Sequence, residues 1–204
     1  MKYTRVLLLS LSLGLAAFPA LAQRLPGQYD VARVASTDVL NIRAEPSAKA
    51  RVISEIAPYT TRIEVLKLSD DQKWGLVSAG EVSGWASLAY LQASAPGAKG
   101  DVPRPLSCRG TEPFWSLKLP LTGGAEWSTP DTPEVALKIV KQEVTGTGYA
   151  GSYTADAGRR FELVVTREQC SDGMSDRIYG FSARLRTSGP DQQSLTGCCT
   201  LDAR

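Results

Sequence analysis

The sequence predicts an all-β protein made of two consecutive regions of short strands. Three observations support this prediction. Short segments alternate apolar and polar residues, as strands with one buried face do. Gly, Pro, Asp and Ser residues separate these segments, and the second region shows no convincing helical period. Residues 93–105, ASAPGAKGDVPRP, have the composition of a linker and lie between the two regions.

The N-terminal segment has the layout of a secretory signal peptide. Two basic residues precede a nearly apolar run over residues 6–17, and an A-x-A cleavage site ends at Ala22. The run is too short to span a bilayer as a helix, which needs about 20 residues. We therefore expect a signal peptide over residues 1–22, a periplasmic or secreted protein, and no membrane insertion after cleavage.

Charge and composition argue against several classes of function. Cleavage after Ala22 removes Lys2 and Arg5 and leaves 21 basic residues against 21 acidic ones. Without a basic stripe, binding to nucleic acid or to anionic membranes is not expected. The chain has no histidine, and so lacks the commonest general base and the commonest metal ligand. We expect a non-catalytic protein with no cofactor and no metal.

The first region, residues 28–92, contains five or six predicted strands and suggests a small barrel. In VLNIRA, Leu40 and Ile42 fall on one face of a strand, and Asn41 and Arg43 fall on the other.

Three motifs of this region, in order, resemble the bacterial SH3-like (SH3b) domain: LNIRAEPS, QKWGLV and GWASLAYL. Glu45 stands where that family usually has a glycine, so the turn is expected to differ in shape. The resemblance implies a groove for extended peptides and, in bacteria, peptidoglycan or an envelope protein as the partner. Trp74, Trp85 and Tyr90 are expected to form both core and groove wall. Asn41 and Arg43 either reach the ligand or are ordinary solvated residues.

The second region, residues 106–204, contains seven or eight predicted strands and suggests a small antiparallel barrel or sandwich. The motifs GTEPFWSL, CSDGMSDRIYGF and GCC resemble a family of bacterial periplasmic proteins and lipoproteins whose activity is not established. That resemblance implies a lipocalin-like antiparallel β-barrel.

All four cysteines follow the linker, and in an oxidising compartment they predict two disulfides. A bridge between the neighbours Cys198 and Cys199 would be a strained ring, which leaves two possible pairings. Since adjacent strand residues point to opposite faces, the two bridges leave this strand on opposite sides. The family resemblance implies Cys170–Cys198, and therefore Cys108–Cys199, which would tie the first barrel strand to the last.

The stretch CSDGMSD offers Asp172 and Asp176, four residues apart, as a possible acid/base pair or calcium ligands. The spacing of a calcium loop is absent, and Ser and Asp residues commonly bind backbone N–H groups in turns. We favour a structural turn in which Gly173 supplies a positive φ.

The stretch GTEPFW is expected to place Phe114 and Trp115 as a buried aromatic pair at the start of a strand. The alternative puts Glu112 and Trp115 at the mouth of the barrel, near the SDGMSD corner, as a ligand or partner site.

The sequence thus favours a periplasmic binding protein that docks on peptidoglycan or an envelope protein partner. One alternative is an inhibitor of cell-wall lytic enzymes, with CSDGMSDR or LTGGAEW as its loop. Others are a barrel that binds a small ligand, or a wall hydrolase that acts through Glu112, Asp172 or Asp176.

Overall fold

The computed structural model describes residues 25–95, 101–189, 192–202 and 204. The expected signal peptide, residues 1–22, lies outside the described residues, as do residues 96–100 of the expected linker. Among the described residues no helix has the length and apolar character needed to cross a membrane.

The described chain is all-β, as the strand patterns predict. It contains fifteen strands and two single-turn 3₁₀ helices, Leu88–Tyr90 and Asp156–Gly158, with no α-helix in those ranges. The strands of the first region are β1 (Gly27–Val31), β2 (Leu40–Arg43), β3 (Val52–Ile56), β4 (Ile63–Leu68), β5 (Trp74–Ala79), β6 (Val82–Ser87) and β7 (Leu91–Ala93).

These seven strands form one antiparallel sheet in the order β3-β2-β6-β5-β4-β1-β7. Every strand contributes a buried aliphatic side chain to a single core, which contains Val31, Leu40, Ile42, Ile56, Ile63, Val65, Val77, Ala86 and Leu91. A flat sheet of seven strands would hold its edge strands about 29 Å apart, so a shared core requires strong curvature. The region is therefore a small barrel-like sheet, and β2 alternates its buried and outward residues as predicted.

The second region forms a closed eight-stranded barrel in the order β10-β11-β12-β13-β14-β15-β8-β9, all antiparallel. A barrel, and not a sandwich, is therefore the outcome for this region. Its strands are β8 (Leu106–Thr111), β9 (Phe114–Leu119), β10 (Ala125–Thr129), β11 (Thr132–Val144), β12 (Gly148–Thr154), β13 (Arg160–Thr166), β14 (Phe181–Ser188) and β15 (Ser194–Thr200).

Aromatic rings pack against one another inside the barrel. Trp115 and Trp127 stack with their ring centroids 5.9 Å apart, and Phe161 lies 5.1 Å from Trp127. A side chain at Gly110 or Gly197 would collide with the indole of Trp115, so both strands carry glycine where the ring crosses them. These aromatics supply much of the apolar area that the barrel buries.

Two disulfides leave β15 on opposite sides, as alternation along a strand requires. Cys199 points into the barrel, where it bonds Cys108 on the neighbouring strand β8. Cys198 points outward and bonds Cys170, which lies in the connection between β13 and β14. The pairing is the one that the family resemblance implies, and Cys108–Cys199 joins the first barrel strand to the last.

A buried carboxylate of the sheet contacts the end of β15. Glu64 on β4 is 2 % exposed, and its two oxygens accept hydrogen bonds from the Thr200 hydroxyl (2.7 Å) and the Leu201 N–H (3.0 Å). Burial raises the pKa of Glu64 to about 7, although both hydrogen bonds favour the charged form. Asp202 also raises this pKa, and Arg177 lowers it.

Further hydrogen bonds join the sheet to the barrel around Glu64. The side-chain amide of Gln28 on β1 donates to the Leu201 carbonyl (2.9 Å), and the Arg204 guanidinium donates to the Ser78 carbonyl (2.9 Å). Arg167 donates to the Pro26 carbonyl (3.0 Å). The two regions are therefore packed together, although their sequences are separated by a linker-like stretch.

We expect the Cys170–Cys198 bridge to hold its connection against the barrel wall. Replacing both residues with serine should destabilise the protein by about 3 to 4 kcal/mol, because the bridge closes a loop of nearly thirty residues. Amide hydrogen exchange should accelerate mainly over residues 170–177, while the barrel strands stay protected by Cys108–Cys199. Uniform loss of protection across the barrel strands would contradict this local role.

The buried position of Glu64 predicts a pH dependence with a definite sign. Between about pH 4.5 and pH 7 the folded protein keeps a proton that the unfolded chain has released. The free energy of unfolding should therefore fall as pH rises through this window, by an amount on the order of 3 kcal/mol. Urea denaturation of wild type and Glu64→Gln across pH 4 to 8 measures it, because the difference isolates this carboxyl group. A difference that is constant with pH would contradict the prediction.

Candidate functional site

The outer face of the sheet carries an aromatic ring, with one cation over it and another on the neighbouring strand. Direct cross-strand pairs place Lys67, Leu76, Trp85 and Arg43 in one row over β4, β5, β6 and β2. The Lys67 ammonium lies 5.8 Å from the centre of the Trp85 ring, and Trp85 is half-buried. We call these four residues the outer row. A half-exposed indole flanked by cations suits stacking on a sugar or a peptide group.

The structure brings some of the predicted ligand residues of the sheet together. Asn41 shares the outer face of β2 with Arg43, whose guanidinium donates to the Ala50 carbonyl (2.7 Å). Trp74 lies on the same face as Trp85, one diagonal position away. Tyr90 follows β6 in the 3₁₀ turn and is 43 % exposed.

The expectation that these three aromatic residues contribute to the core is wrong. The core of the sheet is aliphatic, while Trp74 and Trp85 are half-buried and Tyr90 is exposed. The physical reason is the strand register. Gly75 and Ala86 face the core beside Val65 and Val77. The residues that precede them, Trp74 and Trp85, therefore face outward.

A second candidate site is a cleft of about 430 Å³ on the outer wall of the barrel. Outward residues of β8, β14 and β15 form its floor, among them Arg109, Arg184 and Thr196. The stapled residues Cys170 to Asp172 form one wall, and Glu112 in the β8–β9 turn lies at the rim. We call this the stapled cleft.

The cleft brings the two sequence motifs of the barrel together, but the arrangement of their residues differs from the one expected from the sequence. Glu112 and Asp172 both line it, as proximity of GTEPFW to SDGMSD predicts. Trp115 does not, because it is 3 % exposed inside the barrel and donates its indole N–H to the Thr196 carbonyl (3.0 Å). The site therefore lies on the wall and not at a mouth lined by Trp115.

Phe114 and Trp115 are not a buried pair. Adjacent strand residues point to opposite faces, so the inward position of Trp115 turns Phe114 outward, where it is 52 % exposed. The Glu112–Pro113 peptide bond between β8 and β9 is cis, and Glu112 is exposed.

Asp172 organises the stapled turn. One carboxylate oxygen accepts from the N–H groups of Met174 (3.0 Å) and Ser175 (3.2 Å), and the other accepts from the Tyr179 hydroxyl (3.0 Å). Partial burial raises the pKa of Asp172, but these hydrogen bonds together outweigh it and hold the pKa below its usual value. Gly173 has a φ of 70°, as predicted. The geometry matches the structural turn.

Asp176 lies in different surroundings from Asp172. It lies outside the lining of the cleft, and its backbone forms a bridge with Val82 of β6. Two residues later, the Ile178 N–H donates to the Ser83 hydroxyl (2.9 Å). The second half of CSDGMSDRIYGF thus packs on the sheet, and of the two aspartates only Asp172 lines the cleft. Among the described residues, no group of three His, Cys, Asp or Glu side chains is placed to hold a metal ion.

Sequence reasoning missed Arg109, Arg184 and Glu64. The alternation of LSCRGT and FSARLRTS predicts that both arginines face outward, but it does not tell which strands become neighbours. Glu64 in IEVLKL gives no signal of burial, since an acidic residue in a strand is ordinarily solvated.

Comparison with known proteins supports the SH3-like resemblance of the first region. Residues 38–92 match the family model of the bacterial SH3 domain. The match confirms the resemblance of the LNIRAEPS, QKWGLV and GWASLAYL motifs. No curated protein and no solved structure is significantly similar to the chain. The resemblance of residues 106–204 to a periplasmic family stays a prediction.

Proposed function

We propose that this is a non-catalytic binding protein of the bacterial envelope. Its SH3-like sheet docks on peptidoglycan or an envelope protein, and its barrel presents the stapled cleft to another molecule. The observation that carries the proposal is the match of residues 38–92 to a bacterial SH3 domain. Such domains bind cell-wall material or proteins, and two disulfides fit an extracellular compartment.

The outer row is the docking surface in this proposal. Trp85 offers an apolar ring, while Lys67 and Arg43 offer charge on either side of it. Aromatic and arginine side chains contribute most of the binding energy at many interfaces. The neighbouring Asn41 and Trp74 extend the same face and supply a hydrogen-bonding amide and a second ring.

An inhibitory role through the CSDGMSDR loop is less well supported by the geometry. A loop that enters the active site of a lytic enzyme has to project from the surface. The stretch from Cys170 to Arg177 is instead stapled to the barrel at one end and joined to β6 near the other. This arrangement favours a surface that receives a ligand.

Co-sedimentation with purified peptidoglycan sacculi tests the docking surface. The purified protein should pellet, and Trp85→Ala should weaken its affinity by about tenfold or more, because a central tryptophan is lost. Tyr59→Ala is the matched control, since Tyr59 is an aromatic side chain 67 % exposed in the β3–β4 connection and outside the outer row. Thermal melts should show that both variants remain folded.

Equal pelleting of the Trp85 and Tyr59 variants would refute the outer row as the docking surface. If wild type fails to pellet, peptidoglycan is not the partner. A photo-crosslinking residue placed at Lys67 should then capture an envelope protein, and capture that survives Trp85→Ala unchanged would refute that form of the proposal.

A further inference from the structure

Two arginines face the stapled cleft from either side of β15. Arg184 on β14 pairs across the sheet with Thr196, and Arg109 on β8 pairs with Cys198. Both side chains are exposed on the outer wall and line the cleft. Among the residues that the structure describes, neither guanidinium makes a hydrogen bond or a salt bridge, so both retain their donors for a ligand.

Two carboxylates lie across β15 from these arginines. Glu168 accepts a hydrogen bond from the Ser182 hydroxyl (3.2 Å). Ser182 on β14 pairs with Cys198 from one side of β15, and Arg109 on β8 pairs with Cys198 from the other side. Glu112 follows Thr111 at the end of β8, on the side away from Arg184. The sign of charge therefore alternates around the cleft, and each arginine has an acidic residue across the central strand.

This charge arrangement selects a ligand that carries both signs. The cleft holds Arg109 and Arg184 against Glu112, Glu168 and Asp172, so a purely anionic ligand meets a net negative surrounding. The Asp172 oxygens are occupied by donors of their own turn, and one oxygen of Glu168 is occupied by Ser182. Glu112 is thus the carboxylate that remains to receive a cationic group, and Arg184, across β15 from it, can receive an anionic group of the same molecule.

The dimensions fit a short peptide. The strands β14, β15 and β8 span about 10 Å from the first to the third. An extended tripeptide has about the same length. Hydroxyl groups of Thr111, Ser171 and Thr196 line the space between and can donate to or accept from peptide groups.

We propose that the stapled cleft binds a short peptide with a free ammonium and a free carboxylate. Arg184 binds the carboxylate, Glu112 binds the ammonium, and Arg109 donates to the peptide carbonyls. This inference rests on the proposed binding role of the barrel and names the chemical class of its ligand.

Nuclear magnetic resonance titration of the ¹⁵N-labelled full protein with trialanine tests this inference. Trialanine should shift the amide signals of Ser171, Arg184 and Thr196. Blocking either end of the peptide, by N-acetylation or by C-amidation, should weaken binding by about tenfold, since each removes one charge-assisted contact. Arg184→Gln and Glu112→Gln should each have a similar effect.

Arg186→Gln is the matched control, because Arg186 is exposed two residues further along β14 and does not line the cleft. It should bind trialanine as wild type does. Absence of binding at millimolar trialanine, equal binding of the blocked peptides, or equal effects of the Arg184 and Arg186 changes would each overturn the inference. If the protein pellets with sacculi but does not bind trialanine, only the proposal that the cleft binds a short peptide is refuted. Trialanine binding without retention would refute only the docking of the sheet on peptidoglycan.

Discussion

The alternation of side chains along β15 sets both disulfides and, through them, the closure of the barrel and one wall of the stapled cleft. Because neighbouring residues of a strand face opposite sides, Cys199 bonds Cys108 inside the barrel while Cys198 bonds Cys170 outside. The inner bridge joins the first and last barrel strands. The outer bridge holds residues 170–172, one wall of the stapled cleft, against the outer face of β15. A shift of β15 by one residue would exchange these faces and remove both arrangements.

The end of the same strand connects the barrel to the sheet. Thr200 and Leu201 bind a carboxylate that the sheet buries, and burying a charge is costly unless donors compensate it. For Glu64, hydrogen bonds offset part of this cost, and the raised pKa reduces it further because it favours the neutral form. The stapled turn contacts β6 separately, through the Val82–Asp176 bridge and the hydrogen bond from the Ile178 N–H to the Ser83 hydroxyl.

Much of the fold could be predicted from sequence, because alternation and turn residues are local properties. The faces of β2, the opposite exits of Cys198 and Cys199, and the turn at Gly173 all follow from neighbours in the chain. What could not be predicted depends on pairing between distant strands. Alternation requires Phe114 and Trp115 to face apart, but only the glycines at 110 and 197 decide which ring enters the barrel. The meeting of Arg109, Arg184 and Glu112, and the burial of Glu64, depend on such pairings too.

The hydrogen bonds at the end of β15 should make the sheet and the barrel tumble as one body. Backbone ¹⁵N relaxation of the purified full protein measures this, because rotational correlation times can be obtained separately for amides of β1–β7 and of β8–β15. We expect a single correlation time for both sets, of the size expected for the whole molecule. Two distinct and shorter times would show that the regions tumble independently and that the contacts at the end of β15 do not hold them together.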